Sequence, residues 1–189
     1  CYYYGRKAIL WLRNFAVKTF MSKEKSMDTN FEDTIVDSTK PNAGRVYDYF
    51  LGGENYFDVD RQMAAQIEKI APFTPKMVKL LRWFLGEAIR RISKQRFNQF
   101  IDYASGLPSV DHIHANATPE AKIIYSDLDP ITVQCGRKII KDNPNIRYEH
   151  CNAATPEILL ESESVKMLID KNKKIAFGLN GICWFLSDN

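Results

Sequence analysis

The stretch Phe97-Asn98-Gln99-Phe100-Ile101-Asp102-Tyr103-Ala104-Ser105-Gly106-Leu107-Pro108 decides the fold. Its first half carries Phe97, Phe100, Ile101 and Tyr103 and reads as a buried strand; its second half is small and polar and reads as a tight loop. Roughly twenty residues further on, a second apolar run ends in carboxylates, Ile123-Ile124-Tyr125-Ser126-Asp127-Leu128-Asp129-Pro130, at the spacing of a βαβ nucleotide-binding unit. Small residues let backbone N–H groups approach a ligand. A carboxylate one strand over accepts hydrogen bonds from a ribose.

Outward from this pair, strands and helices alternate, which implies a parallel sheet with right-handed crossovers. Strand one ends near Tyr103, a helix over 109–117 leads to strand two at 121–127, and Asp129 caps a helix that begins at Pro130. Ile146 to Cys151 form strand three. Thr155 and Pro156 start a further helix, a short one follows over 164–170, and a fourth strand over 174–180 continues through Ile182, Cys183, Trp184, Phe185 and Leu186. Upstream, residues 41–57 gather aromatics around Gly52 and Gly53, the mark of a sharp turn after a short helix. Both a packed helical hairpin and a ligand-covering segment fit that composition. Asp58 is placed to cap the next helix, which Pro72 ends. Thr74 is placed to cap a longer one with Pro75 at its first position, on which Met77, Leu80, Leu81, Phe84, Leu85, Ala88, Ile89 and Ile92 form an apolar stripe, with Met77 and Phe84 read as core.

With 189 residues, 45% of them hydrophobic, the chain can bury a substantial core. The segmentation expected is an extension and flexible leader over 1–40, a helical segment over 41–96 covering the site, and a Rossmann-like core over 97–189. The net charge of +3 is small beside 26 basic and 23 acidic side chains and gives no specific nucleic-acid signal. Four scattered cysteines, Cys1, Cys135, Cys151 and Cys183, fit reduced thiols and a cytoplasmic location. Arg6, Lys7, Arg13 and Lys18 break the aromatic opening run too often for a membrane span. Met21 resembles a natural start, so residues 1–20 are read as upstream sequence or an amphipathic extension.

In open parallel sheets, ligands bind beyond the carboxyl ends of the strands. Those ends supply Asp102, Ala104, Ser105 and Gly106; then Asp127 and Asp129; then His150 and Asn152; then Asn180 and Gly181. The loop after strand one lacks the Gly-x-Gly-x-x-Gly pattern, which disfavours a dinucleotide and with it a nicotinamide oxidoreductase, and no Gly-Lys-Ser loop is present for a triphosphate. A cofactor without phosphates, bound through close backbone approach and ribose contacts, suits these residues better. Asp111, His112 and His114 include metal-ligating types, but His-x-His on a helix sends its rings in different directions, so no metal site is assigned.

At this point the sequence resembles the class I S-adenosylmethionine-dependent methyltransferases, and one branch of them in particular, the S-adenosyl methyltransferase family long known as a domain of unknown function. The resemblance runs over about 41–188 and rests on four motifs. The first is Ala-Arg-x-Tyr-Asp-Tyr-x-Leu-Gly-Gly-x-x-x-Phe-x-x-Asp-Arg, met by Arg45, Tyr47, Asp48, Tyr49, Leu51, Gly52, Gly53, Phe57, Asp60 and Arg61, with Gly44 in the alanine place. The others are Arg82, Phe84 and Leu85 on the long helix; Phe100, Asp102, Gly106, Leu107 and Pro108 followed by His114; and Tyr125, Asp127, Asp129 and Pro130.

The resemblance implies an α/β Rossmann-like fold with a partial parallel sheet, S-adenosylmethionine as cofactor and an acceptor not identified. It implies that Ala104 to Leu107 hold the methionine part, that Asp127 binds the ribose hydroxyls and that Asn152 reads the adenine. The wider cofactor set is Tyr47, Gly52, Gly53, Arg82, Asp102, Ala104, Ser105, Gly106, Leu107, His114, Asp127, Leu128, Asn152, Ala153 and Asn180. The family pattern is departed from at Ala104, where a glycine is usual, at Asn152, where an acid is usual, at Leu81 preceding Arg82, and at Cys183-Trp184-Phe185. No catalytic base is assigned. The residues end soon after strand four, so that strand is expected to be an exposed apolar edge. The alternative to an enzyme is a non-catalytic nucleoside-binding or regulatory module.

Overall fold

The computed structural model describes residues 37–181. The expectations for residues 1–36, and for the strand continuation through Leu186, lie outside the described residues. Three helices come first, α1 (Ala43–Leu51), α2 (Asp58–Ile70) and α3 (Thr74–Lys94). Strands and helices then alternate: β1 (Gln99–Asp102), α4 (Ile113–Asn116), β2 (Lys122–Asp127), α5 (Pro130–Ile140), β3 (Ile146–His150), α6 (Pro156–Leu160), α7 (Glu163–Leu168) and β4 (Ala176–Gly178).

The four strands are parallel in the order β3-β2-β1-β4. Ile101 faces Ile124 and Phe177 across the ladder, and Asp127 faces His150. The centre of this sheet is covered on both sides, which is why β1 and β2 read as nearly continuous apolar runs rather than as an alternation. Side-chain period two still sorts them between two cores. Phe100, Ile123, Tyr125 and Tyr148 pack with Leu85 and Ile89 of α3, Ile113 of α4 and Val133 of α5. Ile101 and Ile124 pack on the opposite face with Leu159 of α6 and Val165 and Leu168 of α7. A third core, Val46, Phe50, Ala64, Ile67 and Val78, joins α1, α2 and α3.

Local signals set the first helices. Asn42 caps α1 by accepting from the Arg45 N–H (3.0 Å), and Gly52 closes it at φ 87°, the left-handed geometry that glycine adopts without strain. Asp60 is buried and accepts from the N–H groups of Phe57 and Asn42 (both 2.8 Å) and from Arg45 Nε (2.7 Å), so one carboxylate starts α2 and ties it to α1. Asn42 also donates through its amide to Asp129, the residue that caps α5 through the Thr132 N–H (2.9 Å). The helical segment is thereby bonded to the sheet domain.

Several local expectations are corrected. Asp58 is the first residue of α2 and not its cap; Asp60 does the work through the Phe57 N–H. Thr74 likewise lies inside α3, and its hydroxyl donates back to the Ala71 carbonyl (2.8 Å). The helix expected over 109–117 shrinks to α4, because Asp111 adopts φ 52° and His112 restarts the chain as the cap. Ser162 caps α7 at the Val165 N–H (3.3 Å), earlier than the expected start at 164.

The largest difference concerns α3. Its buried residues are Thr74, Val78, Arg82, Leu85, Gly86 and Ile89, whereas Met77, Leu80, Trp83 and Phe84 are exposed. The inward face is turned away from the most apolar stripe because α1 and α2 cover the line through Val78, with Arg82 in the middle of it. β4 is shorter than expected. It pairs with β1 and, among the described residues, with no second strand, leaving Phe177 exposed.

The burial of α3 makes a mutational contrast. Leu85→Ala should lower unfolding stability by about 2–5 kcal/mol, the usual cost of a cavity in a packed core. Phe84→Ala, which removes the larger side chain, should stay within about 0.5 kcal/mol, as expected at an exposed position. Urea denaturation of the two variants checks the assignment of the inward face.

Candidate functional site

The carboxyl ends of β1, β2 and β3 meet at the loop that follows β1. Ser105 is fastened there by three hydrogen bonds: its N–H donates to the Ser126 carbonyl (2.8 Å), its hydroxyl donates to the Asp102 carbonyl (2.8 Å), and that hydroxyl accepts from the Ser126 N–H (3.2 Å). Gly106, at φ 63°, donates its N–H to Asp127 Oδ2 (3.0 Å), and its carbonyl accepts from the Tyr148 hydroxyl (2.6 Å). Leu107 is buried. One short loop is thus held by groups from all three strands. Ala104 adopts φ 50°, so the position where the family pattern has glycine is indeed one that favours glycine.

Two carboxylates stand at this junction, both nearly inaccessible. Asp127 Oδ1 accepts from the Asp129 N–H (3.0 Å), which leaves further lone pairs on both oxygens. Burial pushes Asp127 up to about 6 against these N–H donors. Asp102 differs. Its Oδ1 has no hydrogen-bond partner, and Gly178 of β4 lies so close that a methyl group there would come within 2.0 Å of that oxygen. Burial pushes Asp102 to about 6 as well, with Ser105 and Arg82 pulling it down and Asp127 pushing it up.

The histidines are committed to neutral forms. His112 Nδ1 accepts from the Ile113 N–H (2.8 Å), so Nε2 carries the proton and donates to the Ser105 carbonyl (3.1 Å). Nε2 is 3.8 Å from Asp102 Oδ2, but burial holds this imidazole well below its ordinary range, so the two do not form an ion pair. His114 donates its backbone N–H to the Tyr125 oxygen (3.1 Å), and its Nδ1 lies within hydrogen-bond distance of the same hydroxyl (2.9 Å). Burial lowers His114 too. Among the described residues no group of three His, Cys, Asp or Glu side chains could hold a metal ion.

The helical segment reaches the junction through two residues. Asp48 of α1 accepts from the Asn55 N–H (2.8 Å) and from the Ser109 hydroxyl, joining the turn after α1 to the loop after β1. Gly53 is required there, because a Cβ would come within 2.3 Å of the Asp48 carboxylate. Arg82 of α3 is 5% exposed, lies 5.8 Å from the centroid of the Tyr47 ring, and has no hydrogen-bond partner for Nη1. It feels the charges of Asp102 and Asp48.

Contacts therefore join Asp102, Ser105, Gly106 and Asp127 directly, and Tyr47 with Arg82. The remaining expected residues make local contacts of their own. The Leu128 carbonyl meets His150 Nε2 (2.7 Å), and the Asn152 side-chain oxygen accepts from the Ala154 N–H (2.9 Å) in a local turn. Ala153 packs against the core around Cys151, Gly52 ends α1, and Asn180 lies in the turn after β4. Ser126, Tyr148, His112 and Asp48 carry the loop's support, and sequence reading gave none of them that role. Only Asp48 offered a signal, a carboxylate four residues before a double glycine. A surface depression of about 530 Å3 lies away from this junction along the β3 edge, lined by Arg137, Lys141, Arg147 and Tyr148 among others.

A family model described as S-adenosyl methyltransferase matches residues 29–189. The structure is similar to that of a "putative methyltransferase" from Thermobifida fusca YX, with 30% sequence identity and a TM-score of 0.71 over 81% of this chain and 59% of that one. It is also similar in fold to a DUF574 family protein from Streptomyces avermitilis MA-4680, with 23% identity and a TM-score of 0.67 over 76% of this chain and 57% of that one. The chain thus spans less than two thirds of either solved protein. No curated protein matches it.

The junction sets a pH dependence. The carboxyl of Asp102 is raised from 3.8 to about 6, so the folded state keeps a proton that the unfolded chain releases. Its contribution to stability is full below pH 3.8 and is lost as pH rises through about 6. Asp102→Asn should therefore raise stability at pH 7.5 by about 2–3 kcal/mol and change it little at pH 4, in chemical denaturation of the ligand-free protein.

Proposed function

Because the chain belongs to the S-adenosyl methyltransferase family, we propose that it binds S-adenosylmethionine at the carboxyl ends of β1, β2 and β3 and transfers the methyl group to an acceptor. The observation that carries this reading is the Gly106 N–H bonded to Asp127 Oδ2 at 3.0 Å. It sets a backbone surface for the cofactor's chain beside a carboxylate for its ribose. Asp127 accepts from the ribose hydroxyls with the lone pairs that Gly106 and Asp129 leave, the backbone of Ala104 to Leu107 supports the methionine part, and Leu128, Asn152 and Ala153 border the adenine. Asn180 and His114 flank the same opening.

When bound, the cofactor supplies a methyl group on a sulfonium centre, open to in-line attack. The chain's own task is alignment and exclusion of water. The segment 41–96 performs the covering part, with the Gly52-Gly53 turn held over the loop by Asp48 and Ser109. Both histidines near the junction are neutral and already bonded, and no base is assigned. No helix among the described residues is long and apolar enough to cross a membrane.

A non-catalytic nucleoside-binding role is the second reading, favoured by the altered loop, in which Ala104 at φ 50° stands where the family pattern has glycine. Calorimetry separates the possibilities. S-adenosylmethionine and S-adenosylhomocysteine should bind and NAD should not; Asp127→Ala should weaken S-adenosylhomocysteine by about 10–100-fold, the loss of a charged partner to two hydroxyls. No heat with either adenosyl ligand refutes the cofactor, and binding without methyl transfer to any acceptor class selects the second reading.

A further inference from the structure

One face of α3 packs inward through Val78, Leu85 and Ile89, and its outward face is apolar as well. Phe73, just before the helix, is 45% exposed, Met77 37%, Leu80 62%, Trp83 61% and Phe84 60%, so among the described residues nothing covers them. Single apolar side chains scattered on a surface need no explanation, but these are not scattered. Phe73, Met77, Leu80 and Phe84 recur at steps of three and four residues, the seam by which two helices pair. Aromatic side chains and methionine are also the types enriched at the centre of protein interfaces. One turn beyond Phe84 the line reaches Glu87, held by Arg90 and Arg91, so the seam closes in a charged rim.

The seam is the same in both directions: phenylalanine, two medium-sized apolar side chains, phenylalanine, at steps of four, three and four residues. A two-fold axis requires that symmetry, since each patch must be its own complement. Turned antiparallel on itself, the helix sets Phe73 against Phe84 of a second copy and Met77 against Leu80. The same register brings exposed Lys76 alongside exposed Trp83 of the second copy, a cation beside an indole. The exposed parts of the five side chains come to roughly 500–600 Å2, taking about 150–250 Å2 for a whole aromatic side chain. Two copies together bury on the order of 1,100 Å2 before any rim contact, which clears the roughly 1,000 Å2 of a specific interface. The residues before Asp37 are a poorer match, because Arg6, Lys7, Arg13 and Lys18 would add cations to a face that already carries Lys76 and Lys79. We propose that this face is a homodimer interface, in which α3 packs antiparallel against α3 of a second copy about a two-fold axis. The contact is modest in size, and its dissociation constant falls at roughly 1–10 μM. Dimerisation holds the helical segment from outside, since the inward face of the same helix meets α1, α2 and the sheet. It is independent of the cofactor. Below that concentration the chain is a monomer in which Phe84→Ala costs as little as at any exposed position; above it, mass action adds the interface to the measured stability.

Sedimentation velocity of the 189-residue chain, from about 0.5 μM to about 100 μM, tests this. The wild-type chain should pass from monomer to dimer across that range. Leu80→Glu and Met77→Lys should each weaken the dimer by about 100-fold, the effect of an unpaired charge at a dry centre, and each should leave the thermal midpoint of the dilute monomer within about 2 °C of wild type. Mixing the two variants should restore a dimer, because the antiparallel register sets position 77 of one copy against position 80 of the other and pairs the new charges. A wild-type chain that stays monomeric at the highest concentration overturns the proposal. A dilute Leu80→Glu monomer with a lowered midpoint assigns the face to cover by the chain's own residues and overturns it too. A dimer indifferent to Leu80→Glu lies on another surface, and variants that do not recombine on mixing are not paired antiparallel through α3; either result contradicts the proposal.

Discussion

The bond from the Gly106 N–H to the Asp127 carboxylate is the constraint on which the rest of the site depends. It fixes where the loop after β1 lies relative to the end of β2, and it does so with a charged acceptor in a buried place, where such a bond is strong and its loss expensive. The neighbouring contacts reinforce the same placement. Ser105 bonds to Ser126, and Tyr148 reaches from β3 to the Gly106 carbonyl. The packing of Phe100, Tyr125 and Tyr148 beneath them keeps the three strand ends in register. Ala104 is accommodated at φ 50° because its neighbours over-determine the turn, at the cost of about 1 kcal/mol that glycine would avoid.

A second layer of organisation joins the helical segment to the sheet. Asn42 connects α1 to the cap of α5 and to Asp60, Asp48 connects the Gly52-Gly53 turn to Ser109, and α3 brings Arg82 in from the side. These polar bonds add to the apolar contact that Leu85 and Ile89 of α3 make with the sheet. Buried carboxylates that tolerate poor solvation in the free protein are the groups whose charge a ligand can use. Asp127 is the clearest of them, with lone pairs beyond those that the Gly106 and Asp129 N–H groups use. Stability given up at such a position is typical of binding sites.

Much of this was legible in the sequence. The run of Phe100 and Ile101 into Asp102, and of Ile123 and Ile124 into Asp127, is a local pattern that strand period and turn chemistry specify without knowledge of the partners. Gly52 and Asp129 were legible for the same reason, since a left-handed helix stop and an N-cap are decided within four residues. The inward face of α3 was not. Leu85 and Ile89 of the apolar stripe are buried as its period implies, but Met77, Leu80 and Phe84 are exposed and burial continues instead through Val78 and Arg82, because the covering elements are α1, α2 and the sheet. An arginine at the centre of a buried face is discounted by any apolar count. The supporting roles of Ser126 and Tyr148 depend on strand register across 21 and 42 residues, which no local pattern encodes, and that of His112 on the turn at Asp111 that restarts the chain.

The central claim is that the junction of β1, β2 and β3 is a nucleoside site organised by Asp127. A crystal structure with S-adenosylhomocysteine tests it most directly. The account predicts both ribose hydroxyls within hydrogen-bond distance of the Asp127 carboxylate, with the Gly106 N–H still bonded to it. Electron density for the ligand in the depression lined by Arg137, Lys141 and Arg147, with Asp127 untouched, would contradict it.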